Sequence, residues 1–196
     1  MRRVLIALAA IALMAAPSWA DGGVGFFGTW ADTRDADNTY GGGGIVEFDL
    51  SSHWEIQFRG TRYLKFETEF QLPFEDVSEE VEPALRSQEF DTTVLEFGAA
   101  YNFIPQGAFE IFVGGGFSYW IFDQEPPNSG EIKDEGGFYA LVGAELTLTP
   151  SWGLFFEGMY RNVSATLKGD DLGFQPVNRE LDMSGAAINV GLMFKW

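Results

Sequence analysis

The chain has no cysteine and a single histidine, His53, in 196 residues. The first absence excludes a disulfide framework and thiolate metal sites. The second leaves base-assisted nucleophilic catalysis without its usual proton acceptor. His53 has only Ser51 and Ser52 beside it, ordinary turn residues. No catalytic residue, cofactor or metal site is therefore expected. Positive charge is scarce as well: 12 Lys and Arg stand against 29 Asp and Glu, a formal net charge of −17. Phosphate backbones demand Lys and Arg, so nucleic acid is not an expected partner. After residue 20 no apolar run approaches the roughly 20 residues that a spanning helix needs.

The first twenty residues, "MRRVLIALAAIALMAAPSWA", have a different character. Two arginines precede an apolar run from Val4 to Ala16, and Ser18-Trp19-Ala20 supplies a small-x-small triplet. This is the layout of a secretory signal peptide, with cleavage expected after Ala20. The expected organisation is thus a cleaved signal at 1–20 and one domain over 21–196. Without Arg2 and Arg3 the formal charge becomes −19.

What the domain does have is 19 Phe, 24 Gly and an alternating pattern almost throughout. Side chains of a strand point to opposite faces with a period of two. Val24, Phe26 and Trp30 share one face, and Tyr40, Val46, Phe48 and Leu50 oppose Glu47 and Asp49. Trp54, Ile56, Phe58 and Leu64 oppose Glu55, Gln57, Arg59 and Lys65, while Leu95, Phe97, Ala99, Tyr101 and Phe103 oppose Glu96 and Asn102. Four more segments follow, around 109–121, 138–148, 154–161 and 188–196. Eight antiparallel strands in an up-and-down barrel are expected. Their connections alternate: "SSH", "IPQGA" and "TPSW" are tight, whereas 31–39, 69–90, 122–136 and 162–183 are long and polar. Short turns at one end and long loops at the other describe a barrel of an outer membrane. A closed sheet is needed there because no unpaired edge survives in hydrocarbon.

Tryptophan placement points the same way. Trp54, Trp152 and Trp196 lie toward the short turns, Trp30 and Trp120 toward the long loops, as an aromatic girdle at two bilayer interfaces would require. The ending "INVGLMFKW" places Ile188, Val190, Leu192, Phe194 and Trp196 on one face. It resembles the C-terminal assembly signal of outer-membrane barrels, and over 22–196 the chain resembles the small OmpA/OmpX-type family of eight-stranded outer-membrane β-barrels. The resemblance implies residence in the cell outer membrane among its lipids and lipopolysaccharide, and assembly by the barrel-assembly machinery.

Two motifs mislead. "GVGFFG" at 23–28 satisfies a dinucleotide fingerprint but lies inside a strand rather than between strand and helix. Asp35 and Asp37 sit in a loop that lacks the Gly and Glu of a calcium-binding loop. Strand phase directs Glu47, Arg59, Glu96, Glu145, Glu157 and Arg161 into the lumen, with Lys65 nearer the loops. An eight-stranded barrel is only wide enough for side chains to fill, so these residues are read as an ion-pair network that plugs it. Arg62 alone departs, falling on the lipid face, where it can snorkel to headgroups. The long loops hold nineteen acids against five bases, which calls for divalent cations nearby, or basic partners. The expected role is non-enzymatic: a surface and envelope-integrity protein acting through its loops. A narrow channel for small solutes or apolar molecules is the alternative, and a soluble lipocalin-like binder the third.

Overall fold

The alternating segments pair side by side until no edge is left over. The computed structural model describes residues 21–70, 86–105, 107–124, 131–168 and 178–196; the signal-peptide expectation lies outside them. The strands are β1 (Gly22–Thr33), β2 (Thr39–Asp49), β3 (Trp54–Phe70), β4 (Arg86–Asn102), β5 (Phe109–Gln124), β6 (Glu131–Ile132), β7 (Glu135–Thr149), β8 (Trp152–Asn162), β9 (Ser164–Lys168), β10 (Asn178–Asp182) and β11 (Gly185–Lys195). Eight of them close an antiparallel barrel in the order β1-β11-β8-β7-β5-β4-β3-β2. The closing seam runs from Gly23 opposite Lys195 to Thr33 opposite Gly185. Beyond the seam, the Trp196 amide donates to the Gly22 carbonyl at 3.1 Å. No helix among the described residues is long and apolar enough to cross a membrane.

The phase of each strand decides what the wall presents. Phe26, Phe58, Phe97, Phe117, Phe138, Val142, Phe156 and Val190 are exposed on the outside. Their neighbours Phe27, Gln57, Glu96, Ser118, Tyr139, Glu157 and Asn189 are buried inside. A soluble lipocalin-like barrel needs the opposite arrangement, so that alternative is ruled out. The run "GGGG" at 41–44 lies within β2, and its inward members are held tight. A Cβ on Gly43 would come within 2.5 Å of the Phe27 ring, so the backbone must stay bare for that ring to enter.

The strands run further than the apolar alternation. β3 and β4 continue to Phe70 and from Arg86, and the connection between β1 and β2 spans only 34–38. The segment 162–183, expected as a loop, contains β9 and β10, which join β6 in a separate three-stranded sheet. The pattern breaks at the long-loop end because the outer wall there need not be apolar. Arg62, Asp91 and Asp123 all sit on it. A β-bulge between Tyr63 and Phe66 adds one residue to β3, so Phe66 rejoins Tyr63 on the inside.

The small sheet is fastened to the barrel rim. Val163 and Met183 bracket it, with the Met183 amide donating to the Val163 carbonyl at 3.0 Å. Asp182 accepts from the Ser184 amide at 3.0 Å and from Arg34 Nη1 at 2.9 Å. Hydrogen bonding from Ser184, and then the Arg34 guanidinium, hold the Asp182 carboxyl below its ordinary range near 3.8. A depressed folded-state value means that the contribution is complete above the unfolded pKa and is lost as pH falls through the folded one. Amide-exchange protection at Ser184, whose amide donates to the Asp182 carboxylate, should therefore drop in acid, below the ordinary carboxylate pKa. Asp182→Asn should abolish that dependence, and protection that stays constant into strong acid would contradict the assignment.

Candidate functional site

The lumen is divided by height into three layers, each set by the inward residues of successive strands. At the short-turn end lies a carboxylate-rich mouth. Gln57 Nε2 donates to Glu47 Oε1 at 3.1 Å and to Glu55 Oε1 at 2.7 Å. Lys195 Nζ approaches Glu145 Oε1 at 2.6 Å and Glu110 Oε2 at 3.8 Å. Asn102 Nδ2 also donates to Glu110 Oε2, at 2.6 Å.

Two arginine pairs occupy the middle. Arg59 Nη2 donates to Glu157 Oε1 at 2.7 Å, with both side chains 1% exposed. Asn189 Nδ2 holds the other Glu157 oxygen at 3.0 Å. Arg161 donates from Nε and Nη2 to the two oxygens of Glu96, at 2.8 and 3.2 Å, and from Nη1 to the Tyr63 hydroxyl at 2.7 Å. That bidentate geometry is the stronger of the two pairs. Arg59 is less well served: among the described residues its Nε and Nη1 have no hydrogen-bond partner, and its guanidinium lies 5.6 Å from the centre of the Phe27 ring.

The long-loop end is apolar. Tyr63, Phe66, Phe90, Val94, Trp120 and Phe122 pack with Leu141 and Met159, and Val163, Ala165, Leu181 and Met183 close over them. Phe66 stacks on Phe90 with ring centres 5.6 Å apart, and Trp120 on Phe122 at 6.1 Å. Buried aromatic packing and two ion pairs thus stand one above the other across the lumen.

The sequence-derived residues divide as follows. Glu47, Arg59, Glu96, Glu145, Glu157 and Arg161 are all buried inside the barrel. Gln57 links Glu47 to Arg59, which pairs with Glu157, while Arg161–Glu96 and Lys195–Glu145 stand as further pairs beside that chain. The side chain of Lys65 lies outside the described residues. Of the tryptophans, Trp54, Trp152 and Trp196 are exposed on the outer wall and Trp30 faces outward from β1. Trp120 does not belong with them. It is 2% exposed inside the lumen, and its Nε1 donates to Ser118 Oγ at 3.2 Å. Parity is the reason: Trp120 is two residues from inward Ser118, whereas Tyr119 and Ile121 carry the outer face.

Ile188, Val190, Leu192 and Phe194 line the outer wall of β11, and Trp196 follows it, exposed. Lys195 and Glu55 were missed as lumen partners, although the same parity that selects Asn189 and Gln57 would have found them. Arg62 is on the outer wall, held by Asp91 Oδ2 at 2.9 Å, Asp123 Oδ2 at 2.7 Å and Thr93 Oγ1 at 2.8 Å. Its partners come from β4 and β5, which no local pattern announces. His53 is in the turn before β3, with Nδ1 2.9 Å from Ser52 Oγ and its ring stacked on Tyr101. Among the described residues no cluster of acids or histidines is close enough to hold a metal ion.

Comparison with known proteins bears on this architecture. The sequence model of the family described as outer membrane protein beta-barrel domain matches residues 4–195. No curated relative matches the chain. Among solved structures, the outer membrane protein OprG of Pseudomonas aeruginosa superposes with a TM-score of 0.72 at 13% identity, covering 90% of this chain and 96% of that one. Neisserial surface protein A gives 0.58 at 13% identity, with 90% and 97% covered. The outer membrane protein W of E. coli gives 0.52 at 12%, with 89% and 98% covered. Identities this low carry the fold and nothing finer.

Proposed function

Because the chain belongs to the outer membrane protein beta-barrel domain family, and so resides in the cell outer membrane, we propose that it acts there as a non-enzymatic surface and envelope-integrity protein. In this reading the short turns face the periplasm and the acidic loops face outward. The loops meet lipopolysaccharide, with divalent cations screening the like charges. Strand length supports this orientation. β3, β4 and β5 carry 16–17 residues, whereas a crossing needs only about 9–11. The surplus stands beyond the bilayer on the loop side, above the outer-wall group of Arg62, Asp91 and Asp123.

The observation that carries the reading is the closed middle of the lumen, where Arg59–Glu157 and Arg161–Glu96 lie beneath packed aromatics. In planar bilayers the purified barrel should show no steady conductance. Regular single-channel steps from the unaltered protein would favour transport instead. The apolar outer half of the lumen supports a second reading, in which the barrel passes small apolar molecules. Under that reading cells carrying the protein should take up an apolar dye faster than cells without it, while ion conductance stays absent.

Trp196 ends the terminal strand on the outer wall and supports the assembly-signal reading of "INVGLMFKW". Trp196→Ala should lower the yield of heat-modifiable, folded barrel in cells without changing refolding in detergent. Equal yields in cells would remove the assembly role.

A further inference from the structure

Four buried residues in the middle of the lumen carry polar atoms that have no hydrogen-bond partner among the described residues. They are Nε and Nη1 of Arg59, the hydroxyls of Thr29 and Thr61, and Oδ1 of Asn189. All four stand around one ion pair. Arg59 and Asn189 hold the two oxygens of Glu157, at 2.7 and 3.0 Å. Thr29 is opposite Asn189 across the seam of β1 and β11, and Thr61 is two residues from Arg59 on the same face of β3. Gly41 is opposite Thr29 and Gly43 opposite Thr61, so β2 offers neither threonine a side chain at its own level. A buried polar group left unpartnered is costly, and several around one ion pair point to something bound among them.

The chemistry of these atoms narrows the ligand. Arg59 only donates, so its partner must accept, whereas Asn189 Oδ1 only accepts, so its partner must donate. Glu157 fixes that orientation of Asn189, since a carboxylate has to receive Nδ2. An anion would serve Arg59 but not Asn189, and a metal cation would do the reverse. A planar oxyanion fits poorly for a second reason. Both forks of a guanidinium include Nη2, which already donates to Glu157 and Gln57. Water donates and accepts, and a buried water needs only about 2–4 polar partners. It also has a way in: the short-turn mouth opens into a cavity of about 440 Å³ that reaches Glu47, and Gln57 joins Glu47 to Arg59. We propose that the middle layer of the lumen is a binding site for ordered water, held by Arg59, Thr29, Thr61 and Asn189 around Glu157. The Arg59 pair is then a hydrated one, with the packed aromatics beyond it. This goes beyond the surface role and does not depend on it.

The test is water–protein cross-relaxation by NMR on the folded barrel in uncharged detergent micelles, read at the Arg59 Nε–H and the Asn189 side-chain amide. Contacts to long-lived water are expected at both. None is expected at the Trp120 indole N–H, which donates to Ser118. Absence of the Arg59 and Asn189 contacts would overturn the proposal. Threonine hydroxyl protons exchange with water and can imitate such a contact, so the measurement is repeated on Thr29→Val combined with Thr61→Val. The Arg59 contact should persist there, and its loss would assign it to the hydroxyls and overturn the site. Valine matches threonine in shape but holds no water, so each single change should lower the folding equilibrium constant roughly two- to tenfold. A rise in that constant would mean dry, unpartnered hydroxyls and would also overturn the proposal. Exchanging chloride for sulfate in the buffer should leave the Arg59 resonances in place, and a chloride-dependent shift would give the site to an anion instead. If neither valine variant folds, the cross-relaxation and the chloride comparison on the unaltered barrel still decide. None of these outcomes uses conductance, so failure here is distinct from failure of the surface reading.

Discussion

Arg161→Met should destabilise the barrel by about 3–5 kcal/mol, the range for removing one partner of a buried ion pair. Methionine keeps most of the volume, so packing loss is a minor part of the effect. The main cost is Glu96, which would lose both guanidinium contacts while staying buried, with the Tyr63 hydroxyl also left without its donor. Reversible urea unfolding in detergent, followed by tryptophan fluorescence, measures the change. Trp120 makes the signal local, because its ring lies 6.5 Å from that of Tyr63. The double variant Arg161→Met with Glu96→Gln should recover a large part of the loss, since a neutral amide costs less to bury than an unpaired carboxylate. A loss below about 1 kcal/mol for the single variant would contradict the cost assigned to burying Glu96 without its partner.

Val142→Arg should cost about 2–4 kcal/mol, the penalty for a cation facing lipid at the midplane of a barrel wall. Val142 lies at the centre of β7 and is exposed on the outer face, opposite Val113 on β5 and Gly158 on β8. Leu148→Arg changes the same face of the same strand near the short-turn end, and there the cost should fall to roughly 0–1 kcal/mol. The contrast separates depth in the bilayer from any general intolerance of arginine on β7. Refolding equilibria into phospholipid bilayers give both values, and equal costs at the two positions would sink the depth argument. An identical pair measured in detergent alone should show a smaller difference, because micelles have no fixed midplane.

Much of the architecture follows from one local property. Side chains alternate with a period of two whatever the strand pairs with, so Ile188, Val190, Leu192, Phe194 and Trp196 share a face before any partner is known. The same parity sends Glu47, Arg59, Glu96, Glu145, Glu157 and Arg161 inward, and it made eight strands with alternating connections countable. Where parity was set aside in favour of position along the chain, the reading failed: Trp120 was assigned to the girdle although it shares the face of Ser118.

Period two names a face and not a partner, so the contacts across the lumen came only from closure of the sheet. Arg59 and Glu157 are 98 residues apart in sequence and meet because β3 and β8 face each other across the barrel. Closure likewise seated Lys195 beside Glu145 and, among the described residues, brought no cation into a salt bridge with Glu47. The bulge after Tyr63 is a second decision of the tertiary structure, since one extra residue reverses the phase and no composition marks it. At the long-loop end the alternation stops carrying information, because backbone pairing continues where the outer face no longer has to be apolar. There the pairing of β9 with β10 and β6, and the meeting of Arg62 with Asp91 and Asp123, depend on chains brought side by side by the barrel below them.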